Sequence, residues 1–230
     1  MLFQLFDPEY WLIVGPTMLI AAWASWRVKS TFTRFSRVGV ASGMTGAQAA
    51  AAVCRSGAYP DVRIERTSGF LSDHYDPKSK TLRLSPDVYD GRSVSAVAVA
   101  AHEAGHAIQD AKQYAPLSLR SSLVPVTKIG SQLWIFVFFA GLMFTIKPLV
   151  NLGILLFGAV VLFQLVTLPV EFDASRRAKA VLASSGIVSS EPERQGVAKV
   201  LDAAAMTYVA GALTAIAQLV YYLMLANRRN

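Results

Sequence analysis

His102-Glu103-Ala104-Gly105-His106-Ala107-Ile108-Gln109-Asp110 is the stretch from which the rest of the chain can be read. Its first five residues fit H-E-x-x-H. Side chains four apart on a helix face the same way, about 6 Å apart along the axis. Two imidazoles so placed can grip one ion, and Zn²⁺ accepts neutral imidazole nitrogen at about 2.0–2.1 Å. Glu103, beside the first histidine, can take a proton from a bound water. Such a pattern also arises by chance, as solvated residues on a surface helix. Two features weigh against that. The chain has 3 histidines, and two of them occupy the motif. The preceding run, Val94-Ser95-Ala96-Val97-Ala98-Val99-Ala100-Ala101, is small and apolar, so the helix, predicted from Ser93 to Lys112, should be buried. Spacing alone does not supply a third ligand.

Composition sets the surroundings. The chain has 230 residues, 53% hydrophobic and 16% charged, a balance that points to a membrane. A single cysteine, Cys54, excludes a disulfide framework and any cysteine-based zinc cluster. The formal net charge of +7 could suit nucleic acid. The basic residues are spread out, however, with no aromatic-interleaved patch, so the lipid bilayer is the expected partner and nucleic acid is not.

Working outward, the first apolar run is Tyr10 to Trp26, just long enough to span. Trp11, Trp23 and Trp26 sit near its ends, as interfacial aromatics do. Asp7 and Glu9 precede it with no positive charge, which favours an uncleaved anchor over a signal peptide. Between Arg27 and Leu123 the chain is polar enough to be water-exposed. Thr45-Gly46-Ala47-Gln48 fits a capping box that opens a short helix ending at Gly57. Val62 to Thr67 alternates like a strand, and Phe70–Tyr75 with Thr81–Ser85 reads as a hairpin across Asp76-Pro77-Lys78-Ser79-Lys80. An exposed strand edge beside the motif helix could hold an extended peptide.

Ile129 to Ile146 and Leu149 to Val170 follow, separated only by Lys147-Pro148, and read as a transmembrane hairpin. A hairpin returns the chain to the side it left, so Glu171 should emerge on the same side as the motif helix. Ser190-Glu191-Pro192-Glu193 resembles a helix start leading to a last apolar stretch, Thr207 to Leu225. That stretch could span or pack on the bundle. Arg27, Lys29, Arg34 and Arg37, directly after the first span, place the motif on the cytoplasmic side by the positive-inside rule. The expected organisation is residues 1–26 as anchor, 27–123 as water-exposed domain, 124–170 as membrane hairpin, 171–206 as third-ligand segment with an amphipathic helix, and 207–230 as apolar helix.

A catalytic zinc takes three protein ligands and one open position. The third ligand is expected to be a carboxylate, with Glu171 the first candidate on a short helix after the hairpin. Asp173 is the alternative, and an interfacial ion pair of Glu171 with Arg176 or Arg177 is the non-functional reading. His74 could donate to a developing oxyanion or be an ordinary surface histidine.

The segments Leu71–Pro77, Thr81–Ser85, Gly91–Ser93, His102–Gln109, Leu168–Arg177 and Leu201–Tyr208 together resemble the YugP-type neutral zinc metallopeptidases of bacterial membranes. The likeness covers nearly the whole chain. It implies a mostly α membrane protein with about four transmembrane helices and a small α+β, zincin-like catalytic domain, whose short hairpin lies next to the metal helix. It further implies a gluzincin-type endopeptidase in the bacterial plasma membrane, one Zn²⁺ on His102, His106 and Glu171, and a peptide or membrane-protein substrate. A more distant likeness is to the HtpX and CAAX-prenyl protease group, where Glu171 maps onto the ligand glutamate but Ser175 stands in place of an aspartate. The rival class is a non-catalytic membrane scaffold or regulator that keeps a metal site for stability. Glu103 speaks against it, since a structural site needs no base beside its ligand. Particular substrates and the oligomeric state are not encoded in any recognisable motif.

Overall fold

The computed structural model describes residues 7–57, 59, 61–70 and 72–228. It is mostly helical: α1 (Pro8–Phe35), α2 (Gly46–Ser56), α3 (Pro86–Tyr89), α4 (Val94–Ala111), α5 (Ala115–Met143), α6 (Lys147–Ser184) and α7 (Glu191–Asn227), with strands β1 (Arg63–Arg66), β2 (His74–Asp76) and β3 (Thr81–Leu84). Among the described residues, helices α1, α5, α6 and α7 are the 4 that are long and apolar enough to cross a membrane. The chain forms two compact units, one of Met1–Ala24, Ser118–Leu168 and Thr207–Asn230, the other of Ser25–Leu117 and Pro169–Met206.

In the first unit, large apolar side chains face outward: Leu12, Leu19, Phe136 and Leu155 are each at least 70% exposed. Its interior is aromatic. Trp134 stacks obliquely on Phe157 at 4.4 Å and meets Tyr222 at 4.8 Å, and Phe138 lies 5.1 Å from Tyr222. Tyr221 donates its hydroxyl proton to Asp7 Oδ2 at 2.7 Å, so the buried phenol is satisfied. The turn between α5 and α6 lies at Phe144–Ile146, with Thr145 at φ 56°, not at Lys147-Pro148. Those two residues begin α6 instead, because proline's missing N–H is unpaired in a first turn anyway.

The second unit is built round α4. Ser93 caps it, accepting from the Ala96 N–H at 3.2 Å. Its small residues Ala96, Ala98, Ala100, Ala101, Ala104 and Ala107 are buried and let neighbours approach closely. Helix α2 packs on this face, opened by the Thr45–Gln48 capping box and closed at Gly57. The sheet order is β1-β3-β2, with β1 parallel and β2 antiparallel to β3. Strand β2 is shorter than its sequence suggests, beginning at His74 rather than Phe70. Gly69 at φ 107° turns the chain there, and Ser72 Oγ donates to the Gly69 carbonyl, so local bonds displace ladder bonds. Tyr75 closes the hairpin onto α4 through a 2.6 Å bond to Asp110 Oδ2.

Helix α6 also corrects an expectation. Glu171 is not on a separate short helix but inside one continuous 38-residue helix that carries Pro169 in its interior. The likewise continuous α7 joins the predicted start at Glu191 to the last apolar stretch.

Candidate metal centre

Three side chains from two helices of the second unit converge. His102, His106 and Glu171 each present one donor atom within 4.8 Å of the other two. Glu171 Oε2 stands 3.1 Å from His102 Nε2 and 3.5 Å from His106 Nε2. A tetrahedral zinc with arms of about 2.0–2.1 Å separates its ligand atoms by about 3.3–3.4 Å. Both distances fall close to that edge, and two imidazoles with a carboxylate are a zinc donor set, so these residues fit the ion.

The convergence depends on a glycine. A Cβ on Gly105 would lie 2.7 Å from the Ala174 carbonyl oxygen and 3.2 Å from its Cα. Only glycine lets α4 approach the α6 backbone this closely. The adjacent His106 and the nearby Glu171 are brought together by that contact. A mid-helix glycine costs about 1 kcal/mol against alanine, which here is set against formation of the site.

Both imidazoles are oriented from behind. Gln109, fully buried, donates from Nε2 to the Val170 carbonyl at 2.8 Å and to Asp173 Oδ2 at 2.9 Å. Two acceptors on the amide nitrogen leave Oε1 as the acceptor, 3.0 Å from His106 Nδ1. His106 therefore donates from Nδ1 and presents the lone pair of Nε2 to the metal position. Arg176 and Arg177 both pair with Asp173, the latter at 2.5 Å, and so anchor the far end of this chain of bonds. On the other side, Ser175 Oγ lies 3.1 Å from His102 Nδ1. Ser175 thus faces the first histidine.

Glu103 shares the turn of α4 between the histidines and retains only a partly accessible face. Burial pushes its carboxyl above the usual carboxylate range; His102 and His106 oppose this, while Glu171 and Asp73 reinforce it. A carboxyl so poised is suited to accept a proton and return it. Asp73, which accepts from both Ser85 N and Ser85 Oγ, is likewise raised by burial. For His106, burial disfavours charge, but the Glu171 and Glu103 carboxylates and the bonds to Glu171 and Gln109 together outweigh it and lift the imidazole.

His74 stands apart from the three donors. It is exposed on β2, with Nδ1 2.8 Å from the Ser72 carbonyl oxygen. Gly105, Gln109 and Asp73 were given no role from the sequence, and Ser175 was noted there only as standing in place of an aspartate. Helical spacing carried a signal for two of them: Gln109 is three residues after His106, and Ser175 four after Glu171.

The model of a family described as "Putative neutral zinc metallopeptidase" matches residues 10–227. A "Putative membrane protease YugP" from Bacillus subtilis (strain 168) is 45% identical over 206 residues, covering 90% of this chain and 91% of the relative. No solved structure matches the chain at a significant level.

Proposed function

The chain belongs to this neutral zinc metallopeptidase family, and on that premise we propose that it is a multi-pass membrane endopeptidase with His102, His106 and Glu171 as its zinc ligands. The observation that carries the reading is the three-donor cluster with Glu103 on the same helical turn. Zinc bound there would supply Lewis-acid activation of a water and of the scissile carbonyl. The protein's own part is proton handling and alignment. Glu103 Oε takes a proton from the attacking water and delivers it to the departing amine nitrogen. Gln109 and Ser175 hold the imidazoles so that neither turns away. Strand β2, at one edge of the sheet and tied to α4 through Tyr75, offers the backbone groups against which an extended peptide can be aligned.

Glu171 directly follows the apolar run that ends at Val170 on α6. Peptide segments of membrane proteins close to the bilayer are therefore the substrate class we assign. The basic residues after α1 support the reading that the centre lies on the cytoplasmic face of a bacterial plasma membrane.

The test is Glu103→Gln in the purified full chain, with protease activity and bound zinc measured together. Activity should fall about 10²–10⁴-fold while zinc content stays near one per chain. Chelation of the wild-type chain should abolish activity and added Zn²⁺ restore it. Wild-type turnover by Glu103→Gln, or activity indifferent to chelation, overturns the peptidase mechanism.

A further inference from the structure

The lower end of α1 carries a feature that the peptidase chemistry does not use. Trp26, Lys29, Ser30, Thr33, Arg34 and Arg37 line a shallow groove of about 640 Å³. All six are exposed. Elsewhere in the same unit, several cations are matched by carboxylates, as in Arg66–Asp90, Lys80–Asp110, Lys179–Asp202 and Arg194–Glu191, whereas here three unmatched cations share one groove. Among the described residues, no carboxylate lies within 4.0 Å of Lys29, Arg34 or Arg37. Three positive charges and the Thr33 hydroxyl therefore face one groove without an anion from the protein.

Its position along the helix identifies the anion. The uncharged run of α1 ends at Trp26, and Lys29 lies about 4.5 Å further along the axis, Arg34 about 12 Å. The headgroup layer extends about 5–8 Å beyond the hydrocarbon core on each face. Side chains on a helix lean toward its N-terminus, so Lys29 and Arg34 lean back toward the apolar run. Long cationic side chains readily cover the remaining distance with their apolar stems along the surface. Trp26, 66% exposed, occupies the depth at which indole rings sit in a bilayer. A neighbouring cavity of about 540 Å³ shares Thr33 and Arg37 but carries the carboxylate of Asp87, which makes it the poorer anion site.

We propose that this groove binds the phosphate headgroup of an anionic phospholipid, with Lys29, Arg34 and Arg37 as its cationic contacts, Thr33 as a hydroxyl donor and Trp26 against the glycerol region. The site needs only that α1 spans the membrane, so it stands independently of the peptidase reading.

Native mass spectrometry of the detergent-solubilised full chain provides the test, with phosphatidylglycerol and phosphatidylcholine of identical acyl chains as probes. Phosphatidylglycerol should be retained about tenfold or more tightly. Arg34→Ala and Arg37→Ala should each weaken its retention about fivefold, and K29A/R34A/R37A should abolish the preference. Arg66→Ala and Arg194→Ala, on cations paired within the protein, should leave it intact. Equal retention of the two lipids, or an undiminished preference in the triple variant, overturns the proposal. Displacement of the lipid by millimolar inorganic phosphate also overturns it, because the groove would then be a free-anion site.

Discussion

The two units bury opposite things. In the unit of Ser25–Leu117 and Pro169–Met206, alanines and a glycine form the close contacts, and the space so arranged holds Gln109, Glu171 and Asp173, all buried and all bonded. In the other unit, aromatic rings fill the interior, while leucines and phenylalanines form the outer surface. A surface as apolar as the core is stable when the solvent is lipid, where burial of apolar area between helices yields little. Packing shape and a few polar contacts then hold the helices. In the unit with the metal centre, the driving force is ordinary burial, and the interior can accommodate polar groups only by bonding every one of them. Small residues bring two helices to the separation that this bonding requires.

That contrast can be broken most severely at the ligand. Glu171→Ala should leave the chain inserted but lower zinc affinity by more than about 100-fold, since losing a ligand exceeds the 10–100-fold scale of outer contacts. Asp173→Ala, which frees Gln109 and two arginines, should cost about tenfold. Zinc titration of both variants measures the order, and a reversed order would make Asp173 the ligand.

A pair of glycines on α4 and α6 tests the role of close approach next. Gly105→Ala drives a methyl into the Ala174 backbone and should destabilise the unit by about 1–3 kcal/mol while lowering zinc affinity. Gly158→Ala, where nothing lies within 4 Å of the added Cβ, should instead be neutral or stabilise by up to about 1 kcal/mol. Thermal unfolding of both in one detergent decides it. Equal effects would mean that the contact at Gly105 does not hold the helices together.

The smallest expected effect is at Cys54. Burial in α2 pushes its thiol up to about 12, so at pH 8 it remains protonated and shielded. A charged thiol reagent should leave it unlabelled until the protein is unfolded. That silence makes Lys78→Cys a clean reporter: in cells it should label only after permeabilisation if the metal centre is cytoplasmic. Rapid reaction of native Cys54 would contradict the packing of α2 on α4.

Much of the molecule was legible in the chain because its signals are local. The apolar runs, the Thr45–Gln48 box and the two-histidine spacing each lie within one element. Glu171 could be chosen because a membrane hairpin returns the chain to its starting side. The parallel pairing of β1 with β3, the truncation of β2 and the continuity of α6 through Pro169 were not legible. Strand β2 is cut short by the local Gly69 turn and Ser72 bond, which no periodicity announces, while the parallel pairing depends on contact between distant segments, Arg63 with Thr81. Gly105 was hidden for the same reason, since its function lies in what it faces on α6.

Gln109 has a further consequence, for the rates of metal exchange. Both ends of its carboxamide are engaged, so His106 is held in one rotamer and one tautomer by folding itself. An incoming ion meets a receptor that requires no conformational search, and its capture is slowed chiefly by the stripping of its own water shell. Departure, conversely, requires bonds to ligands that cannot swing aside one at a time. Such a centre should exchange its metal slowly, and a chain that has once acquired zinc should keep it through many cycles of work.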